Sequence, residues 1–265
     1  MRYYALACDY DGTLALNGQV DEETIAALER VRNSGRKLIL VTGRELDDLM
    51  RIFPRLDLFD RVVAENGALL YRPATREEKA LGESPKDEFI ALLRHRGVAT
   101  LSVGRVIVAT WEPYEKVALE AIRDLGLELQ VIFNKGAVMI LPSGLNKATG
   151  LAAALSELSL SPHNVAGIGD AENDHAFLSL CECAAAVANA LPVLKERADF
   201  VTQGDHGAGV IELIDKLIAS DLTELEPALT RHEILLGTRE NGQEVRLKPY
   251  GVNVLLTGTS GGGKS

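Results

Sequence analysis

The sequence predicts an α/β protein: a doubly wound core built on a parallel sheet, with a small α+β unit inserted into it. Two observations predict this fold class. Over most of residues 1–220, short apolar strand segments alternate with helical segments, which is typical of a parallel sheet covered by helices on both faces. Between residues 73 and 142 the order becomes helix-strand-strand, repeated once, which indicates an antiparallel sheet with helices on one face. A chain of 265 residues is long enough for two such units.

The first part of the core follows from apolar runs and a helix-stop signal. Residues 3–8 and 37–41 are short apolar runs that we expect to form buried strands. Between them, residues 21–34 carry apolar side chains on one helical face and end before Gly35, a common helix stop. The further elements predicted here are a helix over 45–53 and strands over 61–64 and 68–71.

The inserted unit, residues 73–142, is bounded by Pro73 and Pro142, which we expect to act as hinges. Tight turns that contain Gly104 and Gly136 are predicted to close its two hairpins. The predicted αββαββ elements are, in order, 85–96, 98–103, 105–110, 113–125, 127–133 and 137–141.

The alternating rhythm resumes after the insert and completes the core, which we place at residues 1–72 and 143–220. A polar segment that contains Pro227, residues 221–231, is predicted to be a linker. The elements predicted for the second part of the core are helices 147–158, 172–181, 191–197 and 209–220 and strands 165–169, 184–187 and 200–202.

Charge and composition narrow the class of protein. The 38 acidic residues exceed the 28 lysines and arginines, so the formal net charge is −10 and no nucleic-acid partner is expected. Hydrophobic residues make up 46% of the chain, an ordinary globular value, and no apolar run is long enough for a membrane span. Three cysteines are too few for a disulfide framework and favour a reducing compartment. We therefore expect a cytoplasmic protein with no membrane partner.

Two carboxylates, Asp9 and Asp11, follow the first predicted strand. Ligands of a parallel sheet bind at the carboxyl ends of its strands, where paired acidic groups are costly unless they hold a cation. An ordinary turn is the alternative interpretation, since Asp and Gly are common turn residues.

Oxyanion-binding groups stand at the same predicted edge. Thr42 and Gly43 follow the second strand and offer a hydroxyl and backbone N–H groups to an oxyanion. Lys147 begins the helix that follows the insert and supplies a positive charge. A capped helix start and a solvated lysine are the plainer interpretations of these two features.

A further acidic group, Asp170, ends the predicted strand 165–169, with Asn173 and Asp174 on the opening turn of the next helix. A capping role is the alternative for Asp170. The convergence of all these clusters on one sheet edge favours chemistry, because together they supply a nucleophile, an acid, a cation and a metal site. Those are the parts that phosphoryl transfer needs.

Four segments resemble, in order, the four motifs of the haloacid dehalogenase (HAD) superfamily. They are 9–13 (DYDGT), 40–44 (LVTGR), 146–151 (NKATGL) and 169–174 (GDAEND). The insert lies between the second and third motifs, as in the class IIB, or Cof-like, branch, and resembles the smallest form of its cap. The resemblance covers about residues 1–220 and implies a Rossmann-like HAD core with an αββαββ cap domain.

The resemblance implies a role for each matching residue. Asp9 would be the nucleophile that forms an aspartyl-phosphate, and Asp11 the acid that protonates the leaving oxygen and then activates water. Mg²⁺ would bind the Asp9 carboxylate, the Asp11 carbonyl and Asp170. Thr42, Gly43 and Lys147 would hold the phosphoryl oxygens, with Asn173 and Asp174 supporting Lys147 or the metal waters.

The function implied is that of a Mg²⁺-dependent phosphatase whose partner is a small phosphorylated metabolite, such as a sugar phosphate or phosphoglycolate. Two alternatives stay open. A phosphomutase of the same fold would return the phosphoryl group to bound sugar, and a regulatory domain would sense a phosphorylated ligand and control an attached ATPase. Cap residues at tight turns that could meet the substrate are Arg105, Asn134 and Lys135.

A second motif stands at residues 258–265, GTSGGGKS, after a predicted hairpin at 234–247 and a strand at 252–256. It fits the P-loop pattern, in which a glycine-rich turn cradles phosphate. We expect residues 232–265 to be the start of a P-loop NTPase domain of a longer protein. ATP would bind only in that protein, because the helix after a P-loop supplies its positive end. The nucleotide-binding residues would be Gly258, Gly263, Lys264 and Ser265.

Overall fold

A computed structural model describes residues 1–228 and 233–247 of the chain. The chain divides into two units, Met1–Leu225 and Glu226–Ser265. The first unit carries two sheets, one of eight strands and one of four.

The first strand of the chain lies inside the large sheet, between parallel neighbours. β1 (Ala5–Asp9) pairs with β2 (Lys37–Val41) on one side and with β10 (Val165–Gly169) on the other. The other strands are β3 (Arg61–Ala64), β4 (Leu69–Arg72), β5 (Glu77–Ala80), β11 (Cys183–Ala186) and β12 (Phe200–Val201). The sheet order is β12-β11-β10-β1-β2-β3-β4-β5. This mixed α/β fold with a central parallel sheet confirms the predicted fold class.

One edge of the large sheet differs from the prediction. β4 and β5 run antiparallel beside β3, and β5 comes from the segment that we expected to open the insert at residue 73. The four residues of β5 are exposed and three of them are charged, so the segment shows no apolar alternation. Charged residues are common on exposed edge strands, where they discourage pairing with other chains. The segment Glu77–Ala80 therefore belongs to the large sheet rather than to the four-stranded one.

Helices pack against the large sheet in two groups. α1 (Glu22–Asn33) packs against α8 (His206–Ser220), while α5 (Lys147–Glu157) packs against α6 (His175–Leu180) and strands β2 to β4. The shorter helices of the core are α2 (Leu46–Ile52) and α7 (Pro192–Lys195).

The insert forms the four-stranded antiparallel sheet and has the predicted order αββαββ. Its helices α3 (Asp87–His95) and α4 (Glu115–Asp124) pack on one face around Phe89. On the other face, Met139 lies in one apolar cluster with Ala68, the residue that precedes β4. The strands are β6 (Ser102–Val103), β7 (Val108–Trp111), β8 (Leu129–Asn134) and β9 (Ala137–Pro142), in the order β6-β7-β9-β8.

The second unit contains the predicted hairpin, formed by β13 (Ile234–Thr238) and β14 (Glu244–Leu247). Residues Thr223–Ala228, in the predicted linker, form a 3₁₀ helix. The predicted strand 252–256 and the P-loop residues Gly258, Gly263, Lys264 and Ser265 lie outside the described residues. Within the described ranges, no helix combines the length and the apolar character that crossing a membrane requires.

Candidate active site

The candidate active site lies where β1 and β10 end and α5 begins. Asp9 is the last residue of β1, and Asp170 directly follows β10, its parallel neighbour. Lys147 is the first residue of α5, where a capping box between Asn146 and Thr149 starts the helix. The structure thus brings together three residues that belong to distant parts of the sequence.

Lys147 is a buried cation of this cluster, with only 1% of its side chain exposed. Its Nζ donates hydrogen bonds to Asp9 Oδ1 at 2.6 Å and to Asp174 Oδ1 at 2.5 Å. Burial alone would lower the pKa of Lys147, but the neighbouring charges of Asp174 and Asp9 outweigh burial and raise it. The ammonium is therefore charged and can hold an anion beside Asp9.

Three buried carboxylates, those of Asp9, Asp170 and Asp174, each offer an oxygen within 4.8 Å of the others. Burial and the charge of Asp174 raise the pKa of Asp9, although Lys147 opposes the rise. Burial also raises the pKa of Asp170, in spite of a hydrogen bond from Lys135. A divalent cation would stabilise the ionised form of such crowded acids. Carboxylate oxygens are the donors that Mg²⁺ prefers, so this donor set fits that ion.

Asp174 differs from the other two carboxylates because the protein already uses both of its oxygens. Its Oδ2 accepts the backbone N–H of Asp170 at 2.8 Å and that of Ala171 at 2.9 Å, and its Oδ1 accepts Lys147. These are the contacts of a residue that orients its neighbours. The side chain of Asn173 is held by Asn66: its Nδ2 donates to Asn66 Oδ1 at 3.0 Å.

The carboxylate of Asp11 does not join this cluster and forms a two-pronged ion pair with Arg44. Arg44 Nε donates to Asp11 Oδ2 at 2.7 Å, and Arg44 Nη2 donates to Asp11 Oδ1 at 2.6 Å. Arg44 also donates to Asp48 at 2.5 Å. The sequence predicts no role for Arg44, although this residue ends the LVTGR segment.

Thr42 and Gly43 lie at the end of β2, as the sequence predicts. Thr42 is fully buried, and its Oγ1 accepts the backbone N–H of Arg44 at 3.1 Å. Thr13 is a further neighbour of the site that we did not predict: its Oγ1 donates to Asp170 Oδ1 at 3.3 Å. The signal for it was its place in the DYDGT segment.

Asp9, Asp11 and Gly43 line a cavity of about 730 Å³ that residues of the insert also line. Of the three cap candidates, Asn134 and Lys135 line the cavity. Arg105 is not among its lining residues and pairs with Asp47 and Glu78 instead. Further lining residues are Arg44, Asp48 and Arg51 from the core and Ala109, Trp111 and Met139 from the insert.

Comparison with known proteins identifies the family of this chain. The family model of the haloacid dehalogenase-like hydrolases matches residues 6–105 and 106–214. A phosphoglycolate phosphatase of Methanothermobacter thermautotrophicus is 31% identical over 223 residues, which cover 81% of this chain and 98% of that protein. Phosphoglycolate phosphatase 2 of Saccharolobus solfataricus is 30% identical over 221 residues, covering 82% and 93%.

A solved structure shows the same fold. It is that of a haloacid dehalogenase-like hydrolase from Bacteroides thetaiotaomicron, with a TM-score of 0.68 and 18% identity. The match covers 81% of this chain and 99% of that one. The family match, the relatives and this site together make the chain a member of the haloacid dehalogenase-like hydrolases that acts as a phosphoric monoester hydrolase.

Proposed function

We propose that this hydrolase removes phosphate from a small phosphomonoester of the phosphoglycolate class, through an aspartyl-phosphate on Asp9. One observation carries the proposal. The Asp9 carboxylate lines the cavity, accepts a hydrogen bond from the buried ammonium of Lys147 at 2.6 Å, and has an oxygen within 4.8 Å of one from Asp170. A nucleophile with a cation beside it is what attack on a phosphate dianion requires.

Mg²⁺ is the proposed cofactor, held by the carboxylates of Asp9 and Asp170 and by the backbone carbonyl of Asp11. The oxygen donors and the excess of buried acid support this choice. When bound, the ion would neutralise charge on the phosphoryl oxygens.

In the proposed first step, a carboxylate oxygen of Asp9 attacks phosphorus and the bond from phosphorus to the leaving oxygen breaks. Asp11 donates a proton to that oxygen, which departs as an alcohol. Asp11 then accepts a proton from a water molecule that attacks the same phosphorus. That attack breaks the bond to Asp9 and releases inorganic phosphate. The phosphoryl oxygens are held by Lys147, Thr42 and Gly43.

The ion pair between Asp11 and Arg44 sets a condition on this mechanism. Both oxygens of the Asp11 carboxylate accept hydrogen bonds from Arg44 in this pair, so neither is available to a leaving oxygen beside Asp9. We therefore propose that Asp11 turns from Arg44 towards Asp9 during turnover.

The substrate class is supported by relatives named phosphoglycolate phosphatase, which this chain matches over almost their whole length. The phosphomutase and regulatory alternatives are not favoured by these relatives. We further propose that the insert acts as a cap over the active site, with the core formed by residues up to Ala80 and by 143–220.

Phosphate release tests the proposal directly. Wild-type protein, Asp9→Asn and the exposed control Asp87→Asn are incubated with 2-phosphoglycolate or a sugar phosphate. We expect Asp9→Asn to lose at least about 10³-fold in rate, because an amide cannot form the acyl phosphate, and the control to keep its rate. EDTA should stop release and Mg²⁺ should restore it. Retention of a tenth of the wild-type rate by Asp9→Asn would exclude Asp9 as the nucleophile.

Nucleotide binding by residues 258–265 remains a separate proposal that the GTSGGGKS motif alone supports. In a longer protein, Lys264→Ala should abolish ATP binding measured by calorimetry. ATP binding that survives this substitution would contradict the proposal.

A further inference from the structure

Lys135 brings a positive charge from the insert into a cluster formed otherwise by core residues. It lies in the tight turn between β8 and β9, where Lys135 has a φ of 47° and Gly136 a φ of 85°. From there Lys135 Nζ donates to Asp170 Oδ2 at 2.5 Å. The Asp170 side chain is 1% exposed, whereas that of Lys135 is 48% exposed, so only the end of the lysine enters the site.

Three cations line the cavity within the described part of the chain: Arg44, Arg51 and Lys135. Arg44 is held by Asp11 and Asp48, and Arg51 donates to Asp48 at 2.5 Å. The partner of Lys135 is different in kind. Asp170 is the carboxylate that we propose as a Mg²⁺ ligand. A metal ion would therefore compete with Lys135 for this carboxylate.

A divalent ion and an ammonium would compete for the carboxylate of Asp170. Two positive charges at bonding distance from one carboxylate repel each other strongly in a buried site. A metal ion on Asp170 would therefore displace Lys135. Arg44 would still have Asp48 as a partner after Asp11 turns away, and Arg51 would keep the same carboxylate. Lys135 is then a lining cation left without a carboxylate partner and free for another anion.

Charge balance indicates what that anion is. The three buried carboxylates are balanced by Lys147 together with one divalent ion. A phosphomonoester dianion then brings two further negative charges, and a carboxylate on its leaving group brings a third, so a cation on the cavity wall would favour such a substrate.

We propose that Lys135 is a specificity-determining residue whose ammonium binds the carboxylate of the leaving group while a metal ion occupies Asp170. The inference rests on the proposed function and names the residue that selects a phosphoglycolate-like substrate over an uncharged ester. It also makes metal binding and the Lys135–Asp170 contact mutually exclusive.

The test compares two esters of the same length, 2-phosphoglycolate and ethyl phosphate, of which only the first has a carboxylate. The variants are Lys135→Met, the charge-retaining Lys135→Arg and a control, Lys116→Met, at an exposed position of α4. We expect Lys135→Met to lower the ratio of the two kcat/KM values about tenfold to a hundredfold, mainly through KM for 2-phosphoglycolate. Lys135→Arg should retain most of the ratio, and Lys116→Met all of it.

An unchanged ratio in an active Lys135→Met would overturn the role of Lys135 and leave the proposed function standing. Failure of the wild type to hydrolyse either ester would instead overturn the proposed function, and the role of Lys135 with it. These two failures are therefore distinguishable.

Calorimetric titration with Mg²⁺, without any substrate, tests the competition independently of activity. Because the competing ammonium is gone, Lys135→Met should bind Mg²⁺ about threefold more tightly or better than wild type, with Lys116→Met like wild type. Unchanged or weaker Mg²⁺ binding by Lys135→Met would refute the competition for Asp170.

Discussion

Glu65 joins the core to the insert through three backbone hydrogen bonds, and replacing it with glutamine should destabilise the protein. The side chain is fully buried between β3 and β4. Its Oε1 accepts the N–H of Arg105 at 2.8 Å, and its Oε2 accepts those of Val106 at 2.8 Å and Ile107 at 2.9 Å. These three residues belong to the loop between β6 and β7, so one carboxylate satisfies a whole turn of the insert.

The magnitude follows from what glutamine can still accept. In its best orientation the glutamine keeps its oxygen at the Oε2 position, where the oxygen still accepts the N–H groups of Val106 and Ile107. Its NH₂ group then faces the N–H of Arg105. One hydrogen bond to a charged group is then lost, at about 1.5–3 kcal/mol, and a buried donor is left unsatisfied. We expect Glu65→Gln to lower the free energy of unfolding by about 2–4 kcal/mol. Glu65→Ala, which removes all three partners, should cost about 3–5 kcal/mol.

Urea denaturation measures this difference, with Glu120→Gln at an exposed position of α4 as the matched control. Hydrogen exchange of the amides of residues 105–107 gives a local readout, because these N–H groups lose their acceptor. A free energy of unfolding within about 0.5 kcal/mol of wild type would refute the reasoning, since that is the range of neutral surface substitutions.

Acid stability, ligand binding and the role of Asp11 can be tested separately. Hydrogen bonds from Arg72 above all hold the pKa of Glu157 at about 2, below its usual 4.5. The contribution of Glu157 to stability is therefore complete above about pH 4.5 and is lost as the pH falls towards 2. Glu157→Gln should flatten the plot of unfolding free energy against pH in that range, and an unaltered plot would contradict this. Trp111, the single tryptophan of the chain, lines the cavity, so 2-phosphoglycolate with Mg²⁺ should change the fluorescence of Asp9→Asn saturably; a flat titration would count against binding there. Asp11→Asn should lower kcat about 10²–10⁴-fold and keep its Mg²⁺ affinity, because the proposed metal contact is a backbone carbonyl; weakened Mg²⁺ binding would argue for a carboxylate ligand.

The buried strands of the core could be predicted from the sequence, whereas the exposed strand could not. Every residue of β1 and of β10 is buried, and burial on both faces leaves an uninterrupted apolar run in the sequence. β5 escaped prediction because its residues are exposed and show no apolar pattern. Backbone hydrogen bonds to β4 and the ion pairs of Glu77, Glu78 and Lys79 hold it in place. A hydrophobic pattern cannot reveal a strand that buries no apolar side chain.

The start of α8 was misplaced for a related reason. The helix begins at His206, whereas the sequence predicts residue 209; the additional residues include Gly207, and glycine is unfavourable inside a helix. Gly207 serves packing instead: a Cβ at this position would collide with the hydroxyl of Thr24 in α1. The tertiary contact between α1 and α8 thus outweighs local propensity.

In the active site, too, some positions follow from the strand pattern and others depend on tertiary contacts. Asp9 ends β1 and Asp170 follows β10, its parallel neighbour, so strand order brings the two residues to one edge of the sheet, as the sequence predicts. The direction of the Asp11 side chain depends on an ion pair with Arg44. The position of the Lys135 ammonium depends on where a hairpin of the insert meets the core. The one local feature that marks Lys135 is its left-handed backbone conformation. Asparagine or glycine is usual at such a turn position, because a longer side chain there has a steric cost. Chemistry common to the fold therefore stands at strand ends, where a sequence reveals it. The contacts between insert and core, on which we propose that selection among substrates depends, appear only in the folded chain.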